Sequence, residues 1–184
     1  MEILRRWLAI AVLVALGQGV TPAQAQTSPS KENRIKAAFL FNFAAFVEWP
    51  ANSLPAANAP IVIGVLGEDP FGSFLDDVVH GEKVNGRALE VRRFREVSEA
   101  TNCQILFISD SESGKLTDIL AALKGHSALT VGDADDFADR GGMIQFATKD
   151  KIHLRINLEA AKQAGLTVSS KLLRVAEIVK GGKP

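Results

Sequence analysis

The chain has one cysteine, no tyrosine and no surplus of charge of either sign, 21 Lys and Arg standing against 21 Asp and Glu in 184 residues. Each shortage excludes something. A lone Cys103 closes no intrachain disulfide and builds no cysteine-rich metal site. A formal charge of zero lacks the basic excess of a dedicated nucleic-acid binder, so no nucleic-acid partner is expected. His80, His126 and His153 form no pair at i, i+3 or i+4, and no G-x-S-x-G elbow occurs. Ser113-Gly114-Lys115 follows an apolar run, but Ser109 stands where a phosphate loop needs its first glycine. Leu116 stands where magnesium needs Ser or Thr. The Asp133-Ala134-Asp135 stretch fails the calcium-loop template, with Ala138 in place of the glycine and Ile144 in place of the closing glutamate. Asp69, Asp110, Asp133, Asp135 and Asp136 read instead as caps and turn formers after strands. No catalytic residue, metal site or cofactor is expected.

What is present starts with the amino terminus. Arg5 and Arg6 precede an apolar run over 7–16, and Ala23-Gln24-Ala25 follows as a small-x-small site. That order predicts a secretory signal peptide over 1–25, cleaved after Ala25. The run is shorter than the ~18 residues of a spanning helix. Residues 26–184 then form one domain outside the cytoplasm, in a periplasm, with enough length for a core that needs no staples.

Ser30 is a good N-cap for a helix over 31–48, in which Ile35, Phe39, Asn42, Phe43 and Phe46 recur at helical spacing. The helix is apolar nearly all round after Lys36, and Pro50 stops it. Phe39, Phe43, Phe46 and Trp49 are the expected structural core. Strands are predicted over 61–66, 88–94, 104–108 and 128–131. Helices are predicted over 71–79 and 115–124, with a small one around Phe137. Residues 143–148 and 152–157 flank Lys149-Asp150-Lys151 as an antiparallel hairpin near the sheet edge. Helical text over 158–164 and 169–180 closes the chain. This alternation predicts a single three-layer α/β domain, its mixed β-sheet flanked by helices, with an antiparallel hairpin late in the chain.

Period-2 alternation puts His153, Arg155 and Asn157 on one face of the hairpin, joined by Gln145. Such edges are usually solvated, but they are also where partners dock. Gln145, His153 and Arg155, with Ser170 and Lys171 near the carboxyl end, are the candidate partner-binding residues. Arg155→Glu is expected to weaken partner binding and leave the fold intact. Cys103, set before an apolar run, reads as a small core residue.

Several blocks carry a resemblance. Ile35-Lys36-Ala37-Ala38-Phe39-Leu40-Phe41-Asn42-Phe43 running into Phe46-Val47-Glu48-Trp49-Pro50 resembles the opening of the YfiR family. Residues 61–67 with Asp69-Pro70-Phe71-Gly72, 103–109 (CQILFIS), Gly141-Gly142-Met143-Ile144, Ile156-Asn157-Leu158 and Ser169-Ser170-Lys171-Leu172-Leu173 are similar to its later blocks, in the same order. The resemblance implies an α/β periplasmic regulator that forms a homodimer. It would bind the periplasmic domain of a membrane diguanylate cyclase and repress it, lowering cyclic di-GMP and with it biofilm and exopolysaccharide. An OmpA-like outer-membrane partner would release it, as would a redox change in members with cysteine pairs. Cys103 has no such pair, so an internal disulfide switch is impossible here. A periplasmic small-molecule-binding module serving another membrane sensor or transport system is the alternative.

Overall fold

The computed structural model describes residues 29–180 apart from 52, 55, 57, 58 and 150. The expected signal peptide, 1–25, lies outside the described residues. Helix α1 (Lys31–Phe46) begins where expected, because the Ser30 hydroxyl accepts from the Asn33 N–H at 3.1 Å and Glu32 lies in its first turn. It ends before Pro50, since the chain turns extended at Val47–Glu48 and becomes β1. Its inward residues are Lys36, Ala37, Leu40, Phe43 and Ala44, whereas Ile35 and Asn42 face outward. The buried stripe is therefore rotated from the expected one. A helix with aromatic and aliphatic side chains on most sides carries no strong amphipathic signal to fix which side faces in.

The chain continues through β2 (Ile61–Leu66), α2 (Ser73–Val79), β3 (Lys83–Val84), β4 (Arg87–Phe94) and β5 (Ile105–Ile108). Then come α3 (Leu116–Ala122), β6 (Leu129–Gly132), β7 (Ile144–Thr148), β8 (Ile152–Asn157), α4 (Leu158–Gln163), β9 (Thr167–Val168), α5 (Ser170–Leu173) and β10 (Ala176–Val179). The residues around Phe137 form turns rather than the expected small helix.

The main sheet has the order β10-β8-β7-β6-β5-β2-β4-β3. Strands β4, β2, β5, β6 and β7 run parallel, β8 is antiparallel to β7, and β10 is parallel to β8. Short β1 and β9 pair separately. The domain is the expected three-layer α/β arrangement with a mixed sheet and a late hairpin. The hairpin lies near the edge as expected, one strand in, because β10 lies outside β8. In place of the single helix predicted over 169–180, the chain forms α5 and then a strand. Val175, Ile178 and Val179 are β-branched, and pairing with the open side of β8 outweighs a weak helical spacing.

Alternation along the strands sends side chains into two cores. Ile63, Val65, Phe107, Val131, Phe146 and Ile156 pack under α1, α2 and the 158–173 segment. Phe43 is fully buried there, with Phe39, Phe46 and Trp49 partly buried against it. On the opposite face Val62, Leu66, Leu106 and Ile108 meet Leu116, Ile119 and Leu123 of the α3 segment, with Cys103 and Phe137. The Phe137 ring is fully buried between Gly132 and Gly142, and a Cβ on either glycine would overlap it. Gly142→Ala is expected to cost about 1–3 kcal/mol by overpacking. Urea denaturation checks this: Gly142→Ala with Phe137→Leu should lose less than the two single variants summed.

Cys103 is buried, its thiol donating to the Ala100 carbonyl at 2.9 Å. Burial pushes its pKa up to about 12. The folded protein should therefore react slowly with iodoacetamide at pH 8, and the urea-unfolded chain fast. Equal rates, followed by mass spectrometry, would contradict this burial.

Candidate partner-binding surface

Strands β7, β8 and β10 set Gln145, Arg155 and Glu177 side by side, since Gln145 pairs with Arg155 and Arg155 with Glu177 in register. The Arg155 guanidinium donates to Asp139 at 2.7 and 3.3 Å and to the Gln145 side-chain oxygen at 3.1 Å, and lies 3.5 Å from Glu177. Hydrogen bonding to Asp139 raises the Arg155 pKa further, fixing it as a cation. Gln145 is only 4% exposed, and its oxygen also accepts from the Ala138 N–H at 3.3 Å. Asn157, also expected on this face, is buried and donates to the Ala138 carbonyl at 3.0 Å.

The hairpin face is thus two-tiered. Gln145 and Asn157 are inner groups that hold the 133–142 turn, so Gln145 presents nothing to a partner. Arg155 and His153 are the half-buried outer groups. Arg155→Glu would set a carboxylate against Asp139, Glu177 and the Gln145 oxygen, so the expectation that it spares the fold is withdrawn on physical grounds. Ser170 and Lys171 are exposed on α5, whose Leu172 packs into the α1-side core. They lie in the opposite layer from Asp139, so the candidates do not form one patch. Sequence reasoning did not pick out Asp139 or Glu177, which meet Arg155 only through tertiary pairing.

A second polar cluster sits at the carboxyl edge of the parallel strands. The crossover from β2 leads to β4 on one side and the next, from β4, leads to β5 on the other side of β2, so the edge between β2 and β5 is where open α/β sheets present ligand crevices. Here that region is filled by the chain itself. The Ser111 hydroxyl accepts from the Glu68 N–H at 3.0 Å, and Asp133 accepts from the Asp110 N–H at 3.1 Å. Lys36 reaches down from α1 to Asp133 at 2.9 Å and to Glu32 at 2.8 Å. Burial alone pulls the Lys36 ammonium pKa down, and hydrogen bonds to the two carboxylates more than offset this, leaving it raised. Asn33 donates to the Pro70 carbonyl at 3.0 Å, and Thr148 to Glu32 at 3.0 Å. The amino end of α1 is pinned across the sheet edge from three sides.

Among the described residues no group of three or more His, Cys, Asp and Glu is placed to hold a metal ion. No helix among them is long and apolar enough to cross a membrane.

Fold and surfaces together define a doubly wound α/β domain with a self-filled sheet edge and polar surfaces on two layers. The YfiR/HmsC-like family model matches residues 33–177, and the chain belongs to that family. The family is regulatory and non-catalytic, and membership supports a role in regulating diguanylate cyclase signalling in general. Among curated proteins none matches the sequence. Among solved structures, the ABC domain from Streptococcus pneumonia, in complex with L-Trp, is similar in fold. It has 9% identity and a TM-score of 0.51, over 76% of this chain and 59% of that one. A conserved domain protein from Vibrio cholerae O1 biovar eltor aligns with 14% identity and a TM-score of 0.49, over 65% of this chain and 55% of that one. This chain thus spans well under two thirds of either structure.

Proposed function

We propose that this chain is a secreted periplasmic regulator that binds the periplasmic domain of a transmembrane diguanylate cyclase and represses it. Lower cyclic di-GMP would then restrain biofilm and exopolysaccharide production. The observation that carries this reading is the family match over 33–177. His153 and Arg155 on the hairpin, and Ser170 and Lys171 on α5, are the contact residues of this reading, and the chain acts as a homodimer. An OmpA-like outer-membrane protein competing for the regulator releases the cyclase, since mutually exclusive binding shifts a two-state equilibrium without any covalent switch. Redox release through an internal disulfide is closed to a chain with Cys103 alone.

The test is a pull-down of the processed chain, 26–184, against the periplasmic domains of the cyclases from its own genome. Saturable binding to one of them at micromolar concentration supports the reading, and binding to none overturns it. A melting-point rise with a metabolite in a thermal screen would favour the small-molecule module instead.

A further inference from the structure

The two ends of the main sheet differ. At one end β3 has only two residues and turns back into β4 through Asn85 and Gly86, both with positive φ (52° and 80°). Short edge strands of this kind resist pairing with another chain. At the other end β10 has four residues, with no strand beyond it among the described residues. Its residues, Ala176–Val179, include no proline, and their one charge, Glu177, is engaged with Arg155. Ile178 on this strand is 49% exposed and Val175 just before it 68% exposed, two of the three exposed large hydrophobic residues among those described. Unpaired strand N–H and C=O groups beside exposed β-branched side chains are what a strand-adding partner needs.

Charge selects the occupant. The one acidic residue of β10, Glu177, is turned to Arg155 of the neighbouring strand. Lys171, Arg174 and Lys180 flank the strand, are exposed, and make no side-chain hydrogen bond or ion pair within the described residues. The strand therefore carries apolar contacts and open backbone groups, with three exposed, uncontacted cations close to it along the chain.

We propose that the outer edge of β10 receives an extended, acid-rich segment of a partner protein by strand addition. This rests on the reading of the chain as a partner-binding regulator and names how the contact is made. The main-chain ladder supplies affinity, Ile178 packs against apolar side chains on the same face of the incoming strand, Val175 adds an apolar contact at the start of the edge, and the cations select carboxylates. Lys171, already a contact candidate, becomes part of this edge. Arg174, Val175 and Ile178 join it.

The test is a nuclear magnetic resonance titration of the processed chain with two synthetic peptides, acetyl-VEVEVE-amide and acetyl-VKVKVK-amide. A copy of the first, N-methylated at alternate residues, lacks the donors for a ladder. The glutamate peptide should protect the outward-facing amides of β10 (Ala176–Val179), those not bonded to β8, from hydrogen exchange and bind about tenfold more tightly than the lysine peptide, as expected for three exposed charge pairs. The N-methylated copy should not bind. In Lys171→Glu/Arg174→Glu/Lys180→Glu the preference should invert, and Ile178→Asp should weaken both peptides. Binding away from β10, equal affinity for the two peptides, or retained binding of the N-methylated copy overturns the proposal. So does protection of these amides that grows with protein concentration alone, which assigns the edge to a second copy of this chain. If the glutamate peptide fails while a cyclase domain binds, the edge proposal falls and the regulatory reading stands. If the peptide binds at β10 and no cyclase domain does, the edge stands and the regulatory reading falls.

Discussion

Replacing Phe146 with alanine should remove about 3–5 kcal/mol of folding stability, the range for losing a fully buried aromatic side chain. Phe146 is 1% exposed and its ring centroid lies 6.0 Å from those of Phe39 and Phe43 and 6.5 Å from that of Phe107. It is therefore the contact through which α1 grips β7 while β5 supports it from the side. The loss has two parts, the transfer of the ring and the cavity that three neighbouring rings cannot collapse to fill. Against a total of about 5–15 kcal/mol for a typical domain, this is a large share. The urea midpoint of the processed chain measures it, with Phe146→Leu losing clearly less because much of the volume stays. A loss below ~1 kcal/mol would mean that α1 is not held through this ring cluster.

Lys36→Met should cost about 3 kcal/mol, because removing one partner of a buried ion pair strands the other. The Lys36 side chain is 6% exposed and that of Asp133 is 17% exposed, so Asp133 would keep its Asp110 N–H bond but lose its cation. Adding Asp133→Asn to Lys36→Met should recover much of the loss, since neither charge is then left alone. The same cluster predicts a pH dependence at both ends. The hydrogen bond from Lys36 lowers the Glu32 pKa below its ordinary value of 4.5. The stabilisation from Glu32 is therefore present above that value and is lost as pH falls through the lowered pKa. The Lys36 pKa is raised above 10.5, so its stabilisation is present below that value and is lost as pH rises through the raised one. Thermal melts of Lys36→Met across pH should show both limbs flattened relative to the parent protein. Unchanged limbs would remove Lys36 as the pin of α1.

What the sequence revealed follows from how local each signal is. The β2 run IVIGVL is apolar at every position and matches its strand residue for residue, because a strand buried on both faces needs no partner to declare itself. The hairpin β7–β8 was legible from alternation and a short polar turn. Lys36 was not legible as a buried residue, because its partner Asp133 lies 97 residues away. Nothing in a lysine's neighbours marks it as interior. Strand β10 was missed because Leu172, Val175 and Ile178 fit a helical spacing as well as a strand composition, and only the open edge of β8 decides between them. The candidate site was read in part for the same reason. The polar alternation found Arg155 and His153, while burial of Gln145, the Asp139 and Glu177 contacts of Arg155, and the basic frame around β10 depend on strands brought together by the fold.

The central claim is that this chain restrains a cyclase by touching it. The direct measurement is the rate of cyclic di-GMP formation from GTP by the full-length cyclase in membrane vesicles whose periplasmic side is open to added protein. The processed chain should lower that rate saturably, with half-effect at about 1 μM or below, and the fall should reverse when an OmpA-like competitor is added. A rate that stays constant up to tens of times that concentration would contradict the claim.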